Sequence, residues 1–340
     1  MGIKVSVIIA VYNCEMYIET CLQSVLQQTF QNYEMVLVND GSTDCSPEIL
    51  AIYQKKHPDK IKIINKKNGG LSSARNVGLG VAEGVFVTFL DSDDYLEEHY
   101  LEILVNTIES KNCDVVCSGQ YKVKESGEIV DTITYKPENG KCLMRRLNIS
   151  GKIYRTQYIQ KCNISFPIGK VYEDNSFNLQ AFFLSDKNFF LDYVGYYQVV
   201  HEGSITSRPI VMDALPLGDW RNCIQKVLEN HDGSIDRDLF EFTVLSFFTY
   251  FLLVRNRKRE YLGNIAGNKI VKMKNVLQIA DFFQDTVNCF FPNARKNKYA
   301  VIGKYKEFGI AQRMGVKVFA WLCYYKKARN FTKIFYKMLG

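Results

Sequence analysis

The 340 residues can bury a full α/β core and still carry an appended piece, and the formal net charge is +7. The ten cysteines include no Cys-x-x-Cys pair and histidine is sparse, which argues against a zinc site and favours reduced, mostly buried thiols of a cytosolic protein. The most apolar stretch, residues 244–254, is shorter than the about 20 residues that a membrane-spanning helix needs. Because residues 1–4 lead directly into an apolar run, we expect no signal peptide.

The first half of the chain alternates short apolar runs with segments of helical spacing. This pattern predicts strands at residues 5–13, 34–39, 61–64, 85–90 and 114–117. It predicts helices around residues 18–26, 49–53, 96–110 and 175–183. Strands that alternate with helices favour right-handed crossovers and a mostly parallel sheet.

Polar residues stand where these strands end. Tyr12 ends the first strand, Asp40 follows the second, Arg75 follows the third, and residues 91–94 follow the fourth. Ligands of open α/β sheets bind outside the carboxyl ends of the strands. We therefore expect all of these side chains to lie at one edge of the sheet.

Three carboxylates, Asp91, Asp93 and Asp94, follow the apolar run at 85–90 and include an Asp-x-Asp motif. Acids this close repel one another unless water or a cation separates them. Oxygen ligands suit Mg²⁺ or Mn²⁺, and those ions suit phosphate oxygens. The pattern predicts a metal and phosphate site, and the alternative is a solvated acidic turn that caps the next helix.

Five motifs, in this order and spacing, resemble family 2 of the inverting glycosyltransferases, which have the GT-A fold. They are Val-Ile-Ile-Ala-Val-Tyr-Asn, Asn-Asp-Gly-Ser-Thr-Asp, Gly-Leu-Ser-Ser-Ala-Arg-Asn-Val-Gly-Leu, Phe-Leu-Asp-Ser-Asp-Asp and Tyr-Glu-Asp at 172–174. The resemblance covers roughly residues 3–207. It implies a Rossmann-like α/β fold, with a mostly parallel sheet flanked by helices. Long helical patterns begin near residue 208, so we place a GT-A domain at 1–208 and an α-helical, basic C-terminal extension at 209–340, for acceptor or membrane association.

The resemblance implies a hexosyl- or N-acetylhexosaminyltransferase that moves a sugar from a UDP-sugar to a hydroxyl of a glycan acceptor. Inversion needs one base for the acceptor proton, and the resemblance assigns Asp174 to this role and Glu173 as its orienting partner or as an acceptor ligand. Acids at a helix N-terminus also serve as caps, which is the alternative for this pair. The implied cofactor is Mn²⁺ or Mg²⁺, held by Asp93 together with Asp91 and His201.

The resemblance also implies a set of residues that bind the nucleotide-sugar. They are Val11, Tyr12, Asn13, Asp40, Arg75, Asp91, Ser92, Lys152 and His201. Asp40 is expected to accept a hydrogen bond from the uracil ring and Tyr12 to stack on that ring, although a tyrosine here also fits a core position. Arg75 is expected beside the base and phosphates, or in a structural ion pair with Asp40 or Asp91.

The charge is unevenly distributed. Residues 251–340 contain 19 Lys and Arg against 4 Asp and Glu, and aromatic residues such as Phe319, Trp321, Phe331 and Phe335 alternate with the basic ones. Basic, amphipathic and aromatic segments are typical of helices on anionic lipid. We therefore expect a cytoplasmic, peripheral membrane enzyme with a lipid-linked acceptor for surface polysaccharide. We expect residues 244–254 to form a buried helix, or else a face for a homodimer or for membrane docking. A helical subdomain with a solvated basic face is the alternative, and no motif supports nucleic acid.

Two other classes of function stay open. One is an inactive glycosyltransferase-fold partner in a membrane polysaccharide complex, which the intact Asp40, Asp91, Asp93 and Asp174 argue against. The other is a nucleotidyltransferase, which should carry a Gly-rich basic loop after the first strand, where this chain has Tyr-Asn-Cys-Glu. A dehydrogenase is excluded because no G-x-G-x-x-G follows that strand.

Overall fold

The computed structural model describes residues 2–135, 147–201, 212–230, 235–255, 273–301 and 309–338. The chain divides into two compact units, Met1–Ser207 and Arg208–Gly340. The first unit is an α/β structure, and the described part of the second unit consists of helices.

The first unit is built on one mixed sheet. Its strands are β1 (Val5–Val11), β2 (Tyr33–Asn39), β3 (Ile61–Asn65), β4 (Phe86–Asp91), β5 (Tyr95–Leu96), β6 (Val115–Lys124), β7 (Ile129–Ile133), β8 (Lys152–Arg155) and β9 (Asn188–Val200). They lie in the order β3-β2-β1-β4-β8-β6-β9-β5, with β7 beside β6. Every residue of β2 is buried, as expected for a parallel strand that lies between two others in a sheet covered on both faces.

Helices connect the strands of this unit. They are α1 (Ile18–Leu26), α2 (Ser46–Lys56), α3 (Leu71–Val81), α4 (Tyr100–Ser110), α5 (Thr156–Lys161) and α6 (Glu173–Phe183). In α1 the apolar residues recur at helical spacing, and Ile18, Cys21, Leu22 and Val25 form its buried face. Burial of one such leucine side chain contributes about 1.5–3 kcal/mol.

The α/β fold class is confirmed, and the parallel part of the sheet extends from β3 through β2 and β1 to β4. Beyond β4 the sheet is mixed, because β8 pairs antiparallel with both β4 and β6. The sequence did not reveal β8, since this four-residue strand begins and ends with the basic residues Lys152 and Arg155. The helix expected from residue 96 begins at Tyr100 instead, because Tyr95 and Leu96 pair with β9.

The thiols follow the expectation from composition. No disulfide joins the cysteines within the described residues, and most of these cysteines are buried. Cys21 is part of the core between α1 and the sheet, while Cys45 and Cys289 are exposed. The structure thus uses most of its cysteines as small apolar side chains.

The second unit packs its helices around aromatic side chains. Its helices are α7 (Leu217–Asn230), α8 (Arg237–Tyr250), a π-helical turn (Phe251–Arg255), α9 (Met273–Phe290), α10 (Ile310–Tyr324) and α11 (Ala328–Met338), with 3₁₀ turns at Met212–Ala214, Ala294–Lys296 and Lys298–Ala300. The Trp220 ring lies 4.9 Å from Phe247 and 6.1 Å from Phe283, centroid to centroid. Phe248 stacks on Phe283 at 3.8 Å.

The apolar stretch 244–254 lies at the end of α8 and in the π-helical turn. Val244, Leu245, Phe248 and Leu252 are buried within this unit, so the expectation of a buried helix is correct. Among the residues described, no helix combines the length and the apolar character needed to cross a bilayer.

Candidate active site

The ends of three neighbouring strands lie at one level of the sheet. On β1, Val11 is in register with Asn39 of β2, and Ala10 is in register with Asp91 of β4. The residues that follow these strands therefore meet at one edge, as parallel pairing predicts.

Asp40 is buried, with 2% of its surface exposed. Its Oδ1 accepts a hydrogen bond from the Gly69 amide at 2.9 Å and its Oδ2 accepts one from the Gly70 amide at 2.7 Å. Lys66 forms an ion pair with the same carboxylate. Asp40 therefore orders the loop between β3 and α3, a role that sequence reasoning missed, and its contact with uracil stays a prediction.

The residues at the end of β1 divide into structural and exposed groups. The Val11 carbonyl accepts a hydrogen bond from the amide of Asp40 at 2.9 Å. Asn13 adopts a left-handed conformation with φ of 48°, and its Oδ1 accepts a hydrogen bond from the Thr43 amide at 2.8 Å. Between them, the side chain of Tyr12 is 51% exposed. The core position considered for Tyr12 is therefore wrong, and its ring is free to stack on a base.

Arg75 joins two parts of the site. Its side chain is 4% exposed, with Nη2 at 2.7 Å from Oδ1 of Asp91 and Nη1 at 2.8 Å from Oε1 of Glu173. Burial opposes the charge, but Asp91, Glu173 and Asp174 together raise the pKa of Arg75 above its usual value. The ion pair considered with Asp91 is present, and it links the end of β4 to the start of α6.

Glu173 and Asp174 occupy the first turn of α6. Glu173 is buried and engaged by Arg75. Asp174 is partly buried, and this burial, reinforced by the charge of Glu173, raises its pKa to about 7, although Arg75 and Lys152 act in the opposite direction. A carboxylate with a pKa near neutrality is suited to accept a proton from a hydroxyl at physiological pH.

Asp93 and His201 meet although 108 residues separate them in the sequence. Nε2 of His201 lies 2.8 Å from Oδ2 of Asp93. The imidazole stacks on the ring of Tyr17 at 4.8 Å, and the Tyr17 hydroxyl donates to Glu125 at 2.7 Å. Sequence reasoning missed Tyr17 and Glu125, because neither stands in a motif and their contact joins the start of α1 to the turn after β6.

The pair of Asp93 and His201 fits a divalent cation. Neighbouring ligand atoms on an octahedral ion are about 3 Å apart when the bonds are about 2.1 Å long, close to the 2.8 Å observed here. Burial and the charge of Asp91 raise the pKa of Asp93, and a cation would relieve both. Asp91 itself is paired with Arg75. Within the described chain, three ligand atoms within 4.8 Å of one another occur only at residues 97–99, so Asp91 does not complete a compact triad here.

Asp94 has a structural position. Its Oδ2 accepts a hydrogen bond from the Tyr196 hydroxyl at 2.7 Å and its Oδ1 accepts one from the Val199 amide at 2.8 Å. Burial, followed by the charges of Asp91 and Asp93, raises its pKa. The helix α4 that follows has no side-chain cap, so the interpretation of the acidic turn as a cap for this helix is wrong.

Lys152 and Ser92 are the remaining predicted residues. Lys152 is fully buried, and its Nζ donates to the carbonyls of Asn148 at 2.6 Å and Ser150 at 3.1 Å. Burial lowers the pKa of Lys152. This placement does not favour contact with phosphate or acceptor, which stays a prediction. Ser92 is partly buried beside the thiol of Cys14.

The sheet order, the acidic end of β4 and the Glu-Asp pair at the start of α6 define the GT-A class of α/β fold. Residues 6–169 match the family description "Glycosyl transferase family 2". The chain is similar to this family over those residues, which make up just under half of it.

Relatives and solved structures show related similarities. The chain is 34% identical over 217 residues to the putative glycosyltransferase EpsH of Bacillus subtilis, covering 60% of this chain and 63% of EpsH, which is less than two thirds of that protein. It is 26% identical to the cholesterol galactosyltransferase of Borreliella burgdorferi, covering 98% of this chain and 96% of that protein. The crystal structure of S. aureus TarS 1-349 in complex with UDP-GlcNAc is similar in fold, with a TM-score of 0.72 at 22% identity over 98% of this chain and 92% of that one.

Proposed function

We propose that this chain is an inverting glycosyltransferase that moves a sugar from a UDP-sugar to a hydroxyl of a glycan acceptor. The observation that carries the proposal is the Arg75 bridge, which holds Asp91 at the strand edge and Glu173 beside Asp174. The arrangement supports a donor at the edge of the sheet and a base at the start of α6. The complex of TarS with UDP-GlcNAc supports a UDP-sugar as donor, and it favours an N-acetylhexosaminyl group.

Asp174 is the proposed catalytic base. The acceptor hydroxyl oxygen forms a bond to the anomeric carbon while the bond from that carbon to the diphosphate oxygen breaks, and UDP leaves. Asp174 takes the hydroxyl proton. The raised pKa of Asp174 suits this transfer. Glu173 acts through Arg75, which fixes its position on the first turn of α6.

The donor end of the site uses other residues. Tyr12 offers its exposed ring to the uracil base. Asp93 and His201 would hold Mn²⁺ or Mg²⁺, and when bound such an ion neutralises charge on the diphosphate leaving group. Tyr17 keeps the imidazole of His201 directed at Asp93 by stacking on it.

The acceptor and the location of the enzyme are also part of the proposal. We place it at the cytoplasmic face of a membrane, with a lipid-linked oligosaccharide as acceptor for surface polysaccharide. The basic excess of residues 251–340 and the near full-length similarity to an enzyme named for cholesterol support a substrate at a lipid surface. In this proposal residues 1–208 carry the chemistry and residues 209–340 hold the chain near its acceptor.

The proposal is tested by measuring UDP released from a panel of UDP-, GDP- and dTDP-sugars with Mn²⁺, beginning with UDP-GlcNAc. Transfer to a lipid-linked acceptor should depend on Asp174, and Asp174→Asn should still bind UDP. Asp59→Asn, at an exposed carboxylate before β3, is the matched control. Binding of UDP without any turnover would favour the inactive partner, and release of pyrophosphate from UTP and a sugar phosphate would replace the proposal with a nucleotidyltransferase.

A further inference from the structure

Helix α10 has two apolar faces. Its inner face, with Val316, Phe319, Ala320 and Cys323, is buried in the second unit. The opposite face carries a second apolar row, spaced by four, four, three and four residues, which we call the outer stripe: Ile310, Met314, Val318, Trp321 and Tyr325. Each member is between 45% and 61% exposed. The sequence pattern predicts both Phe319 and Trp321 at a lipid surface. In the structure Trp321 is exposed, whereas Phe319 belongs to the core.

The outer stripe is unusual for a helix at a protein surface. Such a helix normally places polar residues opposite its buried face. Here the spacing keeps five apolar side chains in one row along the whole helix, and rows of this kind mark sites of association. Trp321 and Tyr325 pack together at 4.5 Å, which places two amphipathic rings at the C-terminal end of the stripe.

The charge around the stripe identifies what it binds. Residues 309–338 contain seven Lys and Arg and no Asp or Glu. Arg313 is buried and Arg329 forms an ion pair with Asp281, whereas the five lysines of this segment are exposed. The ammonium group of Lys327 lies 5.9 Å from the centre of the Trp321 ring. The segment that carries the stripe is therefore basic, with Lys317 next to Val318 in the helix and Lys327 beside Trp321.

We propose that α10 docks on an anionic lipid bilayer, with the outer stripe at the boundary of headgroups and acyl chains and the lysines at the lipid phosphates. Aliphatic residues, a tryptophan and lysines together are the composition of interfacial helices. A second copy of the chain fits less well, because a symmetric contact through this face would oppose lysine to lysine. The proposal deepens the membrane association proposed above, and it does not depend on the chemistry of sugar transfer.

The two tryptophans of the chain give a direct test. Trp220 is fully buried, whereas Trp321 is 47% exposed. We expect vesicles of phosphatidylglycerol and phosphatidylcholine to shift the emission of the full-length protein to the blue, and brominated lipids to quench it. Vesicles of phosphatidylcholine alone should give a much smaller shift. Absence of any shift with anionic vesicles at low salt would overturn the proposal.

Two variants separate the apolar and the charged contributions. Trp321→Ser should lower the partition coefficient, measured by co-sedimentation with the anionic vesicles, by about tenfold. Lys317→Gln combined with Lys327→Gln should lower it by about tenfold at low salt and little at high salt. Ile52→Ser, at an equally exposed apolar position of α2, is the control and should bind as the wild type does.

Three outcomes decide the matter. Reduced binding by both sets of variants, with circular dichroism and UDP affinity unchanged, supports the proposal. Equal binding by Trp321→Ser and the wild type would overturn it. A blue shift that depends on protein concentration without vesicles, together with dimers in sedimentation velocity, would replace the bilayer by a second copy. Donor binding is measured separately, so failure of the proposed sugar transfer remains distinguishable from failure of lipid docking.

Discussion

Replacement of Asp174 by asparagine is expected to separate the stability of the enzyme from its activity. Asparagine has nearly the same shape but cannot ionise or accept the acceptor's proton. In the folded protein, burial and the nearby Glu173 raise the pKa of Asp174 from 3.8 to about 7. The substitution therefore removes an ionisation that the folded state disfavours.

The sign and size of the effect follow from the direction of this shift. An acid whose pKa is higher in the folded protein than in the unfolded chain lowers stability as the pH rises between the two values. Each pH unit in that window lowers the free energy of unfolding by up to about 1.4 kcal/mol. Across the roughly three units involved, the wild type loses up to about 4 kcal/mol by pH 8, and Asp174→Asn does not.

Urea unfolding followed by circular dichroism at pH 4.5 and pH 8 measures this difference. We expect similar stabilities at the lower pH and a more stable variant at pH 8. Turnover of the variant should fall by about 10²-fold or more, the range for loss of a general base. Turnover of the wild type should decline as the pH falls below about 7, since Asp174 is then protonated.

Two results would contradict this reasoning. If the stabilities of the wild type and Asp174→Asn change with pH in the same way, ionisation of Asp174 does not destabilise the folded protein. If the variant is more stable at pH 8 but retains normal turnover, the raised pKa of Asp174 is supported, but Asp174 is not the catalytic base. The control Asp59→Asn should change neither property.

Three further predictions concern the donor end and the bridge. Asp93→Asn should weaken UDP binding at least tenfold in calorimetric titrations with Mn²⁺, and the wild type in EDTA should bind as weakly as the variant does. Equal affinity of the variant, the wild type with Mn²⁺ and the wild type in EDTA would exclude the proposed metal. Arg75→Met should lower the free energy of unfolding by about 3 kcal/mol in urea titrations, since breaking a buried pair costs about 3–5 kcal/mol and Asp91 is partly exposed; an unchanged unfolding curve would show that the bridge is dispensable. Tyr12→Ala should raise the Kd for UDP by about tenfold and Tyr12→Phe should not, because stacking on a base is worth about 1–3 kcal/mol; equal losses in both would assign the role to the hydroxyl.

The sequence predicted the parts of the site that depend on local pattern. Strands β1, β2 and β4 are short apolar runs, and the polar residues after them had to meet once the strands were parallel. The pairing of Arg75 with Asp91 was also anticipated. The contact of Tyr17 with His201 was not, because it joins α1 to the residue after β9 and leaves no trace in spacing. Lys152 was expected at the nucleotide-sugar only because of the family resemblance, and the structure shows the carbonyls that bind its buried ammonium group instead.

The Arg75 bridge has a consequence for how the donor acts on the base. Asp91 raises the pKa of Asp174 and Arg75 lowers it, so whatever engages Asp91 alters the readiness of the base. A donor that engages Asp91 therefore alters the charge around Asp174, and we expect its arrival to change the protonation of Asp174 near pH 7. The protonation state of Asp174 would in turn alter the affinity for the donor by the same free energy. Calorimetric titration of UDP in buffers of different ionisation enthalpy measures the protons taken up or released, and a heat independent of buffer would show that the two ends of the site act separately.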